Sequence, residues 1–377
     1  MSYLKSIGAL ALAAGIAVGA TGSASAVERL KASVHLPPKN NTVADGYEPF
    51  VKRVEEGTNG EVKIRLFLGG SLLGPKAASE GIRDGVVDLG YVIVGYHPAE
   101  FPYTAFLGDM AAFGTNPITV SAATTEMLFN CPECLQEYKD RGNVYTGTYA
   151  VPAMVLMSTK MINSPEDLKG IKIRAAGGVW DRYANAVGAT AVNVPSSEQY
   201  EALSRGVVDA SLHVASSMKT YGLWDMVKDV VKVNVGVYRA INTFAFNPKS
   251  WAGLTADQRK VVLNAAADSN LDIAIAYVKG GDEALSESAA KGIRIQEMSP
   301  ELQKVTDAFV AKEASELIAT GKEKRGIDNP EKYVKTMQDL VKKWDAIFAE
   351  VGGDGEKFKA RFREDVIAKI DASKYGL

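Results

Sequence analysis

A chain of 377 residues, 46% of them hydrophobic, is long enough for two domains on a prior of roughly 100–200 residues each. Its 43 basic and 45 acidic side chains leave a formal net charge of −2, so no basic excess exists to neutralise phosphates and nucleic acid is a poor partner. Three scattered histidines and two cysteines do not supply metal-ligand spacing, and neither a metal nor another cofactor is expected.

In chain order, the first feature is "MSYLKSIGALALAAGIAVGATGSASAVERL". A basic start at Lys5, an apolar core and the small-residue exit Ala24-Ser25-Ala26 form a secretory signal peptide over residues 1–26, with cleavage after Ala26. An N-terminal anchor helix fits less well, because Gly, Ser and Thr dilute the apolar stretch. The first cysteine, Cys131, comes far too late for a lipid anchor. Beyond the leader no run of the roughly 20 apolar residues needed to span a membrane is expected.

"RLKASVHL" alternates as a strand, "NTVADGYEPFVKRVEEGTNG" follows as an amphipathic helix closed by Gly57 or Gly60, and "VKIRLFLGG" alternates again. A repeat comes next. "EGIRDGVVDLG" and "EALSRGVVDAS" share a helix end, a glycine (Gly85, Gly206) suited to a left-handed C-cap, and a β-branched pair opening a strand. This unit occurs about 120 residues apart, which suggests two similar α/β lobes. Asp88 and Asp209 occupy equivalent places in it. A paired-carboxylate site is one reading; a repeated bond to loop amides is the better one.

"VYTGTYAVPAMVLMST" and "VVKVNVGVYRAINTFAFNP" are strand-forming runs placed to cross between lobes. Between them lie strand "IKIRA", helix "VWDRYANAVGA", strand "TAVNV", helix "SSEQYEALSRG" and strand "VVDASLH". From Thr255, which with Gln258 has the form of a capping box, the chain turns helical. The expected division is 27–150 with about 240–279 as lobe I, and 151–239 with about 280–377 as lobe II. Two lobes joined by crossing strands make a clamshell that closes on a ligand by hinge motion.

Four ordered blocks carry a resemblance: "HLPPKNNTVADGYEPFVKRVEEGTNGEVKIRLFLGGSLLG", "GIRDGVVDLGYVIVGY", "INSPEDLKGIKIRAAGG" and "PSSEQYEALSRGVVDASLH". Together they resemble the solute-binding proteins of TRAP transporters, DctP type, from about residue 30 to past 320. The resemblance implies a two-lobed α/β binding protein with a long helix along its back. It also implies capture of an organic acid in the periplasm, delivery to a membrane permease of a small and a large subunit, and no catalysis.

Arg174 holds the place of the family's carboxylate-binding arginine. A guanidinium offers a planar fork of donors that matches a carboxylate and stays ionised; pairing with an acid such as Glu198, or simple exposure, is the alternative. His35 ends the first strand at a ligand-facing position in the family, and His213 ends the strand after the second repeat, where many members carry an asparagine; either could instead be structural, and His97 is better read as a loop residue. Met154 stands where some members carry a second arginine, and Ser196 where several carry an aromatic residue. With Ile93, Val94, Tyr96 and Trp180 these suggest one carboxylate anchor and a partly apolar or aromatic wall, favouring a monocarboxylate. Met154 and Trp180 could equally be core.

"CPEC" (Cys131, Cys134) raises a second class, a thiol–disulfide oxidoreductase. The flanks "MLFNCPECLQEY" lack a strand-to-helix opening, and an exported chain favours a structural disulfide. No G-x-S-x-G, H-E-x-x-H or P-loop motif is present. A binding protein of another transporter class, such as an ABC importer, is the remaining alternative.

Overall fold

The alternating runs Glu28–Ser33 (β1) and Val62–Phe67 (β2) pair in parallel, joined by a helix that starts as a π-helical segment, Thr42–Tyr47, and continues as α1 (Glu48–Gly57). This computed structural model describes residues 28–175 and 177–377; the leader, 1–26, lies outside them. The first repeat unit supplies α2 (Ala78–Arg83) and β3 (Leu89–Gly90), followed by α3 (Pro102–Gly108), α4 (Pro117–Phe129) and α5 (Pro132–Asp140). Next come β4 (Thr148–Ser158), β5 (Lys172–Ala175), α6 (Gly178–Ala186), β6 (Thr190–Asn193), α7 (Gln199–Ser204), β7 (Ala210–His213) and α8 (Ser217–Thr220). The chain finishes with β8 (Asp229–Ile241), β9 (Ala245–Phe246), α9 (Pro248–Gly253), α10 (Ala256–Ala290), β10 (Arg294–Glu297), α11 (Pro300–Arg325), α12 (Pro330–Glu350) and α13 (Gly355–Asp365).

Two sheets result. The first runs β2-β1-β3-β9, with β9 antiparallel at the edge; the second runs β10-β8-β4-β7-β5-β6. The repeat units feed one strand into each, and Gly85 (φ +74) and Gly206 (φ +66) adopt the left-handed cap conformation. The strands begin later than the valine pairs suggest. Val86 and Val207 are each 47% exposed in the turn, and only Val87 and Val208 are buried. The aspartates that follow have one role in both lobes. Asp88 Oδ2 accepts the Lys31 amide of β1 (2.7 Å), and Asp209 Oδ2 accepts the Lys172 amide of β5 (2.9 Å). They pin turn to strand and are not a paired-carboxylate site.

β4 and β8 belong to the second sheet, yet Tyr149–Val151, Val237, Ala240 and Ile241 sit in the first lobe's core while Met154, Leu156, Val231, Val233 and Val235 sit in the second's. The pair therefore crosses between lobes. Its register slips between Val151 and Val155, around Pro152, which has no amide to give the ladder. On β8 the crossing falls at Gly236 (φ +135), where a Cβ would lie 2.1 Å from the Ala111 carbonyl oxygen. Only glycine fits there.

α10 is the long helix, 35 residues or about 52 Å, opened by the Thr255–Gln258 capping box. Contrary to the sequence expectation it is long and apolar enough to span a membrane, but its apolar stretch is largely buried against α1, α4 and β4. One partition differs from the sequence pattern, which groups 280–377 with lobe II. Leu302 of α11 joins the second core, but Leu317 and the apolar faces of α12 and α13 (Tyr333, Met337, Trp344, Phe358, Phe362) join the first. An amphipathic stripe says that a helix packs, not on which lobe.

Candidate functional site

β5 is central among the parallel strands of the second sheet, and its third residue, Arg174, is 1% exposed. The strands on either side hold its guanidinium. Nε donates to the Val194 carbonyl just past β6 (2.8 Å), and Nη1 donates to the Leu212 carbonyl of β7 (3.1 Å). Among the described residues Nη2 makes no hydrogen bond and no carboxylate pairs with Arg174; Glu198, the acid considered from sequence, is exposed. Two of five N–H donors are used to fix the fork, and the residue lines a cavity.

That cavity lies between the lobes. Arg174, His213, Val214, Ser196 and Tyr221 close it from the second lobe, and Leu36, Asn40, Tyr91, Ile93 and Tyr96 from the first. Tyr149, Val151 and Met154 of β4, Tyr238 of β8 and Tyr277 of α10 complete the wall. Among the described residues Arg174 is its one charged side chain. Ser196 donates its backbone N–H to the Tyr96 hydroxyl (3.1 Å), so one hydrogen bond ties lobe to lobe at the rim.

His213 ends β7 with Nδ1 against Ser217 Oγ and its ring edge-on to Tyr221. Burial, and then the Arg174 charge, hold it well below its ordinary pKa, so the ring is neutral and offers a hydrogen bond without charge. On the first-lobe wall, hydroxyls form a chain: Tyr91 to Tyr149 (2.7 Å), Tyr149 to Thr42 (2.8 Å), Thr42 to Tyr277 (3.1 Å) and Tyr277 to Asn40 Oδ1 (3.1 Å). The π-helical turn brings Thr42 there, and its amide caps back onto Asn40 Oδ1 (2.9 Å).

Of the residues singled out from sequence, Arg174, His213, Tyr96, Met154, Ser196 and Ile93 line the cavity, and His35, Val94 and Trp180 do not. His35 is buried behind Tyr91, rings stacked at 5.5 Å, with Nε2 unpartnered and its pKa pushed down to about 4 by burial. Trp180 is packed in the second core beside a smaller cavity that also reaches Val94, Arg239 and Arg325. His97 is a buried loop residue bonded to Glu100. Sequence reasoning missed Asn40, Tyr91, Tyr149, Tyr221, Tyr238 and Tyr277. For the tyrosines the only signal was their recurrence in apolar runs, which core tyrosine shares, and Asn40 carried none.

Cys131 and Cys134 are joined, buried, and start α5, where Cys131 Sγ accepts the Cys134 amide (3.1 Å); neither lines the cavity. No cluster of three or more metal-ligating side chains occurs among the described residues.

Comparison with known proteins agrees with this architecture. A solute-binding protein of Albidiferax ferrireducens is 27% identical over 249 residues, 62% of this chain and 71% of its own. A marine metagenome TRAP solute binding protein specific for aromatic acid ligands, solved with 3-hydroxybenzoate, superposes with a TM-score of 0.76 at 25% identity, covering 85% of this chain and 100% of that one. A TRAP solute binding protein from Rhodoferax ferrireducens, solved with copurified benzoate, gives 0.76 at 21% identity over 85% and 99%. The model of the bacterial extracellular solute-binding proteins, family 7 (DctP), matches residues 33–318, and the chain belongs to that family.

Proposed function

We propose that this protein binds a small monocarboxylate with an apolar or ring-bearing body in the interlobe cavity and delivers it to a TRAP membrane permease. Exported by its leader, it works in the periplasm. The observation that carries the reading is Arg174: a buried guanidinium clamped by two carbonyls, with Nη2 unspent and no acid partner among the described residues. A carboxylate entering that site gains charge-assisted hydrogen bonds in a poorly solvated cleft. Among the described residues a second carboxylate would meet no second cation, because uncharged side chains, Met154 and six tyrosines among them, form the rest of the wall. The aromatic acids bound by the two structural neighbours support a ring-bearing body. Binding without chemistry fits a disulfide that pins the start of α5 away from the cavity.

The test is a thermal-shift and calorimetric screen of the mature chain against benzoate, 3-hydroxybenzoate, pyruvate and succinate, since a ligand of the native state raises apparent stability. Monocarboxylates should bind, and Arg174→Ala should remove the binding. Preference for succinate, or affinity that survives Arg174→Ala, would refute the reading.

A further inference from the structure

The hydroxyl chain on the first-lobe wall has a direction, and the direction selects the ligand. Asn40 Oδ1 is identified as the amide oxygen because it accepts the Thr42 backbone N–H at 2.9 Å. It can only accept, so the Tyr277 hydroxyl gives it its single hydrogen at 3.1 Å. Each further hydroxyl also has one hydrogen. The Thr42–Tyr277 contact is then donated by Thr42, the Tyr149–Thr42 contact by Tyr149, and the Tyr91–Tyr149 contact by Tyr91. Burial raises the pKa of Tyr91, Tyr149 and Tyr277, so all three stay protonated and the order holds across the ordinary pH range. Tyr91, one of the residues lining the cavity, is left with its hydrogen spent and, among the described residues, with no donor to its oxygen.

We infer that the site recognises a carboxylate that also carries an uncharged hydrogen-bond donor, a hydroxyl or N–H, placed on the Tyr91 oxygen. This rests on the carboxylate reading of Arg174. An acceptor-only group at the same place, an ether or a second carboxylate, faces oxygen lone pairs. To turn the chain round for it, the Tyr277–Asn40 bond has to break. Arg174 belongs to the second lobe and Tyr91 to the first, so a ligand with both groups bridges the closed lobes.

The experiment compares hydroxy and methoxy acids on two frames, 3-hydroxybenzoate against 3-methoxybenzoate and 4-hydroxybutanoate against 4-methoxybutanoate, by calorimetry on the full mature chain. The hydroxy member of a binding pair should be about tenfold tighter, the scale of one unsatisfied polar contact. Tyr149→Phe removes the acceptor for Tyr91 and frees its hydrogen, so the ratio should fall to about one; a steric penalty on the methyl group would persist. Thr42→Val breaks the chain one link further on and should narrow the ratio too, which covers the case of a poorly folded Tyr149 variant. Equal affinities in the wild type, or a ratio unmoved by both variants, overturn the inference while leaving Arg174-dependent binding intact. If Arg174→Ala changes nothing, the carboxylate reading falls first and this inference with it.

Discussion

Two arginines are buried on strands of the second sheet, and the fold treats them differently. Arg239, in "VYRA" of β8, gives Nε to Thr124 Oγ1 (3.1 Å), Nη1 to the carbonyls of Met110 (2.5 Å) and Val237 (3.4 Å), and Nη2 to that of Phe113 (2.6 Å). Arg174, in "IKIRA" of β5, makes two such bonds and keeps Nη2 unspent. Neither forms an ion pair among the described residues. A cation whose three nitrogens are all met by protein acceptors is a fastener between loops of the first lobe and the crossing strand. A cation left one nitrogen short, on a cavity wall, is in the function proposed above a receptor. Burial alone does not separate the two cases; the accounting of donors does.

The sharpest way to break that contrast is to remove each in turn. Arg174→Ala should weaken carboxylate binding by about 100- to 1000-fold, roughly 3–4 kcal/mol, measured by calorimetry. Arg174→Lys keeps the charge but loses the fork and should recover only part of it. Arg239→Met should do the reverse. It orphans the Met110 and Phe113 carbonyls and costs about 3 kcal/mol in denaturant unfolding, with affinity per folded molecule within about threefold. Should Arg239→Met abolish binding at full stability, the two would not differ as argued. Burial already pushes the Arg239 pKa down to about 9, the sign of a charge that is tolerated and not paired.

The histidines extend the comparison. His35 is held neutral by burial, with its pKa depressed to about 4 from 6.5. Its unfolded form takes up a proton first, so the stability it contributes is complete above pH 6.5 and is lost as pH falls through 4. The loss is about 3 kcal/mol over that window, and depressed His213 adds in the same direction. His35→Gln should flatten this part of an unfolding-versus-pH curve; an unchanged slope would remove His35 from the account.

How much of this was legible in sequence follows from what each signal encodes. Gly85 and Gly206 were legible because a left-handed cap tolerates few other residues, and Thr255–Gln258 because a capping box is a local pair. Arg174 stood out as a cation after an apolar run. Its clamp did not, since the acceptors Val194 and Leu212 come from two neighbouring strands. The tyrosine wall was hidden for the same reason: Tyr91, Tyr149 and Tyr277 meet only through tertiary packing. Val86 and Val207 looked like strand residues by propensity, but the turn held by Asp88 and Asp209 claims them.

The disulfide belongs to the fastener side of the contrast. Cys131→Ser with Cys134→Ser should lower stability by about 1–2 kcal/mol, because the bridged loop is short and serine still caps α5. Ligand affinity should be unchanged. Lost affinity in a folded double variant would revive a redox role for the pair.

The smallest expected effect concerns the residue nearest to joining the two sets. Asp181, in the first turn of α6, has its Oδ1 buried without a partner, and burial followed by repulsion from Asp109 raises its pKa to about 6. Asp109 is already engaged, by Arg325 at 2.5 Å and Arg182 at 3.7 Å, and Arg182 also pairs with Glu313. The first-lobe acid is thus met by cations of α6 and α11, and Asp181 is the surplus negative charge beside them. For an acid raised in the fold, the favourable contribution is present below its unfolded pKa near 4 and disappears as pH rises through 6. Asp181→Asn should therefore stabilise the protein by about 1 kcal/mol at pH 8, after allowance for solvent screening, and by nothing at pH 3.5. Urea unfolding at the two pH values reads this directly. A loss of stability at pH 8 would mean that Asp181 completes the charge cluster, and the count of fasteners between the lobes would rise by one.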